Sequence, residues 1–124
     1  MVQTIDSAEL KVHLQQFTGT EHYYEHRTIG SLKLFLTDGC KYLAEKAGCY
    51  WLYDVLASYQ HKLCNETFQT WTLKKFISLG WTITATDGNG KVLVTQDIPY
   101  SDFPIEDGIT LFLVDGVVLL PSEN

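Results

Sequence analysis

The hydrophobic period of this 124-residue chain changes once, and the change limits the folds available to it. Up to about residue 63, apart from segments 20–27 and 32–36, apolar residues recur every three or four positions, as in amphipathic helices. From Phe68 onwards they alternate with polar residues, which is typical of strands with one buried face. Helices therefore precede strands, and the pattern predicts a two-layer α+β domain. In it, two or three N-terminal helices pack on a mainly antiparallel sheet of four to six strands.

Capping residues indicate where the helices begin and end. The first predicted helix starts near residue 6 and ends before Gly19. Thr37 or Asp38 caps the second, which ends at Gly48. A third helix follows almost without a linker, so the two should form a helical corner or hairpin.

The remaining segments are predicted as strands and turns. Residues 32–36 form a short apolar run typical of a strand, whereas the period of residues 20–27 fits a short helix and a strand equally well. Residues 87–90 and 115–116 carry the glycine, asparagine and aspartate that tight hairpins prefer. Between the hairpins, the two prolines of segment 98–104 predict irregular backbone.

The formal charge of −6 lies at one end of the chain. Residues 1–94 hold nine acids and nine bases, whereas the last 30 residues hold six acids and no lysine or arginine. An acidic chain with one arginine lacks the basic face that phosphate binding requires, so nucleic-acid binding is not expected. We expect an acidic edge of the sheet layer that would suit a basic partner.

Length and composition fit one domain over residues 1–124. The longest apolar run, residues 49–53, is far shorter than the roughly 20 residues that cross a bilayer. The N-terminus also lacks a secretion signal, so we expect a cytoplasmic protein with no membrane segment. The three cysteines include no Cys-x-x-Cys pair, which favours reduced thiols in the core.

Several short strings of residues stand out together. Among them are Phe17-Thr18-Gly19-Thr20-Glu21, Thr37-Asp38-Gly39, Tyr50-Trp51-Leu52 and Leu119-Leu120-Pro121-Ser122-Glu123. From about Leu10 to the C-terminus, the residues of these strings and their order resemble the sequence pattern of an uncharacterised bacterial and phage-associated family, domain-of-unknown-function family 6876. The resemblance implies no activity, substrate or cofactor. A link to phages favours a small regulator or interaction protein.

His22 and His26 are the strongest metal candidates, because two imidazoles four residues apart on a helix face the same side. Glu21 or Glu25 could join them, but a zinc or iron site needs at least three converging ligands. A ligand from elsewhere in the chain would be a residue such as Asp38 or His61. Hydrogen-bonded or surface histidines are the preferred interpretation. No metal and no other cofactor is predicted.

No complete catalytic constellation is found in the sequence. Asp54, Ser58 and His61 share one helical stripe, but a triad needs the histidine between the other two. Residues 87–90 begin like a calcium loop that lacks its closing glutamate. Cys40 lies near a helix N-terminus, where a thiol can be activated, but it belongs to an apolar stripe and core packing is preferred.

Aromatic residues make up 13% of the chain, and tyrosine and tryptophan are enriched where proteins bind partners. We therefore favour a small non-catalytic binding or regulatory module that engages a protein partner through aromatic and acidic surface; a homo-oligomer is compatible with this. Eight residues are candidates for binding a ligand or partner: Tyr23, His26, Asp38, Tyr50, Asp54, His61, Tyr100 and Asp102. The alternative is an enzyme or small-ligand binder with a His/Asp/Tyr pocket, with His26 as general base. That pocket would collect His26, Asp38, Tyr50, Asp54 and His61.

Overall fold

The computed structural model describes residues 7–27, 33–63, 65–77 and 80–123. Within these ranges it has three α-helices: α1 (Ser7–Gln15), α2 (Asp38–Ala47) and α3 (Tyr50–Ser58). The strands are β1 (Tyr24–His26), β2 (Leu34–Leu36), β3 (Phe68–Ile77), β4 (Gly80–Thr86), β5 (Val92–Ile98), β6 (Ile109–Val114) and β7 (Val117–Leu119). A short 3-10 turn, Pro121–Glu123, follows β7. None of the described helices has the length and apolarity to cross a membrane.

All seven strands belong to one sheet in the order β1-β2-β7-β6-β3-β4-β5. Neighbours run antiparallel except β2 and β7, which are parallel with Phe35 opposite Val117. The predicted α+β class is confirmed, but the sheet is mixed and has seven strands instead of the expected four to six in a mainly antiparallel sheet. The additional strand is β1, which is only three residues long and lies in segment 20–27, whose period fitted a helix and a strand equally well. The one parallel pair, β2 with β7, makes the sheet mixed.

The segment whose period was ambiguous contains a strand. Tyr24 to His26 pair with β2, with Tyr24 opposite Leu36 and His26 opposite Leu34. Both predicted hairpins are confirmed, since β4 pairs with β5 and β6 pairs with β7 in antiparallel register. Asp115 in the second turn has φ 49°, as a tight hairpin of this kind requires.

Cross-strand register aligns the buried side chains on one face of the sheet, here called the helix face. One row across it joins Leu36, Val118, Leu113 and Gln69 through strand pairs. Trp71 pairs with Leu111 in another row of the same face. The helices contribute to the same core, mainly through Leu10, Leu14, Leu43, Leu52 and Leu56. Tyr24 and His26 lie on this face at the β1 edge, beside α2 and α3.

Two side chains, those of Thr37 and Glu123, form hydrogen bonds at the start of α2. The Thr37 side chain caps the helix by accepting from the Cys40 backbone N–H at 3.3 Å. The Glu123 carboxylate accepts from the Thr37 hydroxyl at 2.6 Å and from the backbone N–H groups of Gly39 at 3.1 Å and Leu120 at 2.9 Å. A side chain on Gly39 would lie 2.6 Å from the Leu120 side chain and 2.9 Å from the Glu123 carboxyl group, so glycine leaves room for this contact. The C-terminal turn is thereby fastened to α2.

The described cysteines lie in the core, as expected. Cys40 and Cys49 are both fully buried, and burial raises the pKa of each thiol from 9.0 to about 12. Neither is therefore a thiolate nucleophile at neutral pH. The third cysteine, Cys64, lies outside the described residues.

Candidate functional site

Five of the eight candidate residues lie around one end of the molecule, where edge strand β1 meets the helices. His26 is on β1, and Tyr23 directly precedes that strand. Asp38 is the first residue of α2, and Tyr50 is the first of α3, with Asp54 one turn later. The spacing of four residues places Tyr50 and Asp54 on the same side of α3, which is the side that faces β1.

His26 and Asp54 form a direct pair. The His26 Nε2 and the Asp54 Oδ1 lie 2.7 Å apart, a hydrogen bond between an imidazole and a carboxylate. The His26 side chain is only 12% exposed, whereas that of Asp54 is 49% exposed. The Asp54 carboxylate therefore binds the imidazole ring of His26 from the side that faces solvent.

Aromatic rings enclose the other sides of His26. The Tyr50 ring stacks on the imidazole, with centroids 6.1 Å apart and planes 11° from parallel. Tyr53 meets it edge-on with centroids 5.9 Å apart. Tyr53 is fully buried, and its hydroxyl donates to the Cys40 carbonyl oxygen at 2.7 Å. Its ring therefore has a fixed position against the rings of His26 and Tyr50. Burial raises the pKa of Tyr53 well above its usual value, so it remains a neutral phenol.

Tyr50 itself is 41% exposed. Its pKa is raised, first by partial burial and then by the negative charge of Glu45 nearby. The Tyr50 ring is therefore presented to solvent between two acidic side chains, Glu45 and Asp54.

Asp38 lies beside this pair on the same face of β1 but has its own partners. It accepts from the Glu21 backbone N–H at 2.9 Å, and this bond is the main reason its pKa is lowered. A hydrogen bond from Tyr24 also lowers it, and the pKa of Tyr24 is raised by burial and by Asp38. Since Tyr24 and His26 are two residues apart on a strand, about 7 Å separates the two acid–ring contacts.

The other candidates lie elsewhere. His61 is exposed in the turn after α3. Tyr100 and Asp102 are exposed near Trp81, whose indole N–H donates to the Ser101 carbonyl oxygen at 3.2 Å. Since β4 and β5 form the sheet edge opposite β1, these two residues belong to a separate surface.

The structure also shows the partners of the residues considered for metal or triad chemistry. His22 Nδ1 lies 3.9 Å from Asp38, whereas His26 turns to Asp54. Among the described residues, no group of three histidine, cysteine, aspartate or glutamate side chains is placed to hold a metal ion. The Ser58 hydroxyl donates to the Val55 carbonyl oxygen at 2.7 Å.

Several contributors to this region were not among the predicted site residues. Tyr24, Glu45 and Tyr53 are the ones that touch or charge it directly. The signal for Tyr24 is the two-residue spacing from His26, which becomes informative only once the segment is known to be a strand. The signal for Tyr53 is its spacing of three and four residues from Leu56 and Ala57, which are buried with it in α3.

Comparison with known proteins gives one match. The model of a family described as a family of unknown function, DUF6876, matches residues 8–124. No curated protein and no solved structure matches the chain. The matched region includes all of the candidate residues described above.

Proposed function

Because this chain belongs to DUF6876, a family of unknown function, we propose its role from its own surface: a small, non-catalytic binding or regulatory module that engages a protein partner. The contact is made by the β1–α3 surface, defined as Tyr23, His26, Asp38, Tyr50 and Asp54. We further propose a cytoplasmic location, as expected from the sequence. We also propose an association with bacteria and phages, which the family resemblance implies.

The observation that carries this proposal is an exposed aromatic side chain that is already held in place. Tyr50 is 41% exposed, yet its ring is stacked on His26, which Asp54 fixes at 2.7 Å. Fixing a side chain before binding removes an entropic cost of about 0.5–1.5 kcal/mol from association. Preorganised tyrosines of this kind are typical centres of protein interfaces. Tyr23, at 60% exposed, directly precedes β1.

The charge around Tyr50 favours a partner that presents lysine or arginine. Asp54 and Glu45 are exposed next to the ring, and a cation over a tyrosine face is attracted to both the ring and the acids. Acidic side chains near the C-terminus also form ion pairs within the molecule: Asp107 pairs with Lys11, and Glu106 pairs with Lys75. Glu45 likewise lies 3.9 Å from Lys41, and Asp54 binds His26, so acids of both regions have partners within the molecule.

A capture experiment with three variants tests the proposal. Tagged wild-type protein is incubated with native lysate, and the captured proteins are quantified beside those captured by Tyr50→Ala and Asp54→Asn. We expect a specific partner whose yield falls at least about tenfold with Tyr50→Ala, because a central tyrosine usually contributes more than 1.4 kcal/mol. Tyr100→Ala is the matched control, since Tyr100 is 63% exposed on the opposite edge of the sheet. Equal capture by Tyr50→Ala and wild type would exclude the β1–α3 surface.

A second candidate function, a small-ligand binder or enzyme, is favoured by the His26–Asp54 hydrogen bond. A carboxylate on Nε2 orients the ring and leaves Nδ1 to exchange a proton with a ligand, as in general-base catalysis. Of the five residues expected in such a pocket, His26, Tyr50 and Asp54 are in contact. A small-molecule screen by NMR tests it: a true ligand shifts the His26 ring signals and loses binding in His26→Gln. If no compound shifts them, this function is excluded for the screened chemistry.

A further inference from the structure

The face of the sheet opposite the helices carries a contiguous apolar patch. We call this side the open face, because no helix of the described residues lies on it. Six half-buried side chains form the open-face patch: Phe35, Phe68, Phe112, Val114, Val117 and Leu119. These residues come from four neighbouring strands, β2, β7, β6 and β3.

The strand register shows that the patch is continuous. Phe35 lies opposite Val117, Val117 opposite Val114, and Val114 opposite Phe68, which makes one apolar row across the sheet. Leu119 and Phe112 lie opposite each other in the next row. The Phe68 and Phe112 rings join the two rows, with centroids 5.3 Å apart. Towards β4 and β5 the face continues with threonines: Thr70, Thr72, Thr82, Thr84, Thr86 and Thr95.

We propose that a second copy of this chain packs on the open face, sheet against sheet. The strands are three to ten residues long, so at about 3.4 Å per residue their average length is about 19 Å. Seven strands about 4.8 Å apart span about 30 Å, which gives a face of about 570 Å² on each copy. Complete coverage of two such faces buries about 1,100 Å² together, above the about 1,000 Å² that a specific protein interface needs.

The charges on the open face allow two copies to meet. Each chain carries −6, so self-association requires an interface from which the excess acids are absent. Glu25, at one end of this face, is bound by Arg27 and Lys33. At the other end Lys74 and Asp97 lie in one cross-strand row on either side of Thr82, so the face is close to neutral.

The geometry suits a symmetric dimer. A two-fold axis places the same patch on both sides, so that apolar residues meet apolar residues and threonines meet threonines. Two twisted sheets pack face to face at about −30° with their side chains interdigitating. This arrangement leaves the β1–α3 surface accessible, because Tyr50, His26 and Asp54 lie on the helix side of the sheet. The dimer is thus independent of the proposed partner binding.

Light scattering coupled to size-exclusion chromatography tests the proposal at protein concentrations across the micromolar range. We expect wild type at twice the monomer mass of 14.1 kDa. Phe112→Lys should elute at the monomer mass, because it places an unpaired charge in the centre of the patch. Val12→Lys is the matched control: it adds the same charge on α1, where Val12 is 55% exposed, and should remain dimeric.

A second variant keeps the test decisive if Phe112→Lys fails to fold. Thr72→Lys replaces a half-buried polar residue of the open face, which a monomer tolerates and a face-to-face dimer does not. Circular dichroism confirms that each variant is folded. Wild type that stays at 14.1 kDa throughout the range, or folded Thr72→Lys that remains dimeric, would overturn the proposal.

Discussion

Removal of the Glu123 carboxylate is predicted to destabilise the whole domain, although the residue lies next to the C-terminus. Its two oxygens accept three hydrogen bonds, from the Thr37 hydroxyl and from the backbone N–H groups of Gly39 and Leu120. Two of these donors belong to the start of α2, where the helix dipole favours negative charge. Glu123→Ala removes all three acceptor contacts and that charge.

The size of the effect follows from the number of contacts. Each hydrogen bond contributes a net of about 1 kcal/mol to stability, so Glu123→Ala should cost about 3 kcal/mol. Glu123→Gln retains an acceptor but loses the charge and should cost about 1–2 kcal/mol. With an unfolding entropy of about 2.1 cal/mol/K per residue, a 124-residue chain loses about 4 °C of Tm per kcal/mol. Glu123→Ala should therefore melt about 12 °C below wild type.

Thermal unfolding followed by circular dichroism, with urea titration as the second probe, measures this difference. Asp102→Ala is the matched control, because it removes an exposed acid for which no hydrogen bond or ion pair is described. Its Tm should stay within about 2 °C of wild type, as for surface substitutions in general. If Glu123→Ala melts no lower than Asp102→Ala, the fastening of the C-terminal turn to α2 contributes nothing to stability.

Two further predictions concern the core and a turn. The pKa of the Cys40 and Cys49 thiols is raised from 9.0 to about 12, so the stability they contribute is complete below pH 9 and is lost as the pH rises towards 12. Urea unfolding at pH 8 and 10 should show a loss of about 1.4 kcal/mol per thiol, and a Cys40→Ala/Cys49→Ala double variant should lack it. Gly108→Ala should cost about 3 kcal/mol or more, because φ is 81° and the new Cβ would lie 2.0 Å from the Leu73 carbonyl oxygen. Gly90→Ala, at φ 85° with nothing within 4 Å, should cost only about 1 kcal/mol; equal losses would refute the close approach at Gly108.

Features encoded by neighbouring residues were predictable from the sequence. The Thr37 cap and the Gly48 end of α2 are local, and so are the turns of the two hairpins. The alternation of Trp71 and Leu73 with threonines identified β3 and its buried face. In each case the signal extends over no more than a few residues.

Features that depend on distant pairing were not predictable. The number of strands was underestimated because β1 contains only three residues and is defined by its pairing with β2. The parallel pairing of β2 with β7 joins segments about 80 residues apart in sequence, and no local pattern specifies it. The same holds for Glu123, whose contacts with α2 span 84 and 86 residues.

The candidate site was predictable from the sequence in part. His26, Tyr50 and Asp54 were singled out by residue type and helical spacing, but their contact depends on the β1–β2 register, which places His26 on the helix face. His61, Tyr100 and Asp102 had equally suitable side chains and lie elsewhere in the fold. Residue types alone therefore indicated the candidate residues, and the sheet topology determines which of these candidates are in contact.

Hydroxyl-radical footprinting of the complex with the captured partner tests the central claim most directly, because it reports the solvent exposure of individual tyrosines. Tyr23, Tyr50 and Tyr100 are 60%, 41% and 63% exposed in the unbound chain, so all three should be oxidised there. On binding, the account predicts that oxidation of Tyr23 and Tyr50 falls several-fold while that of Tyr100 is unchanged. Protection of Tyr100 with Tyr50 still fully oxidised would contradict it.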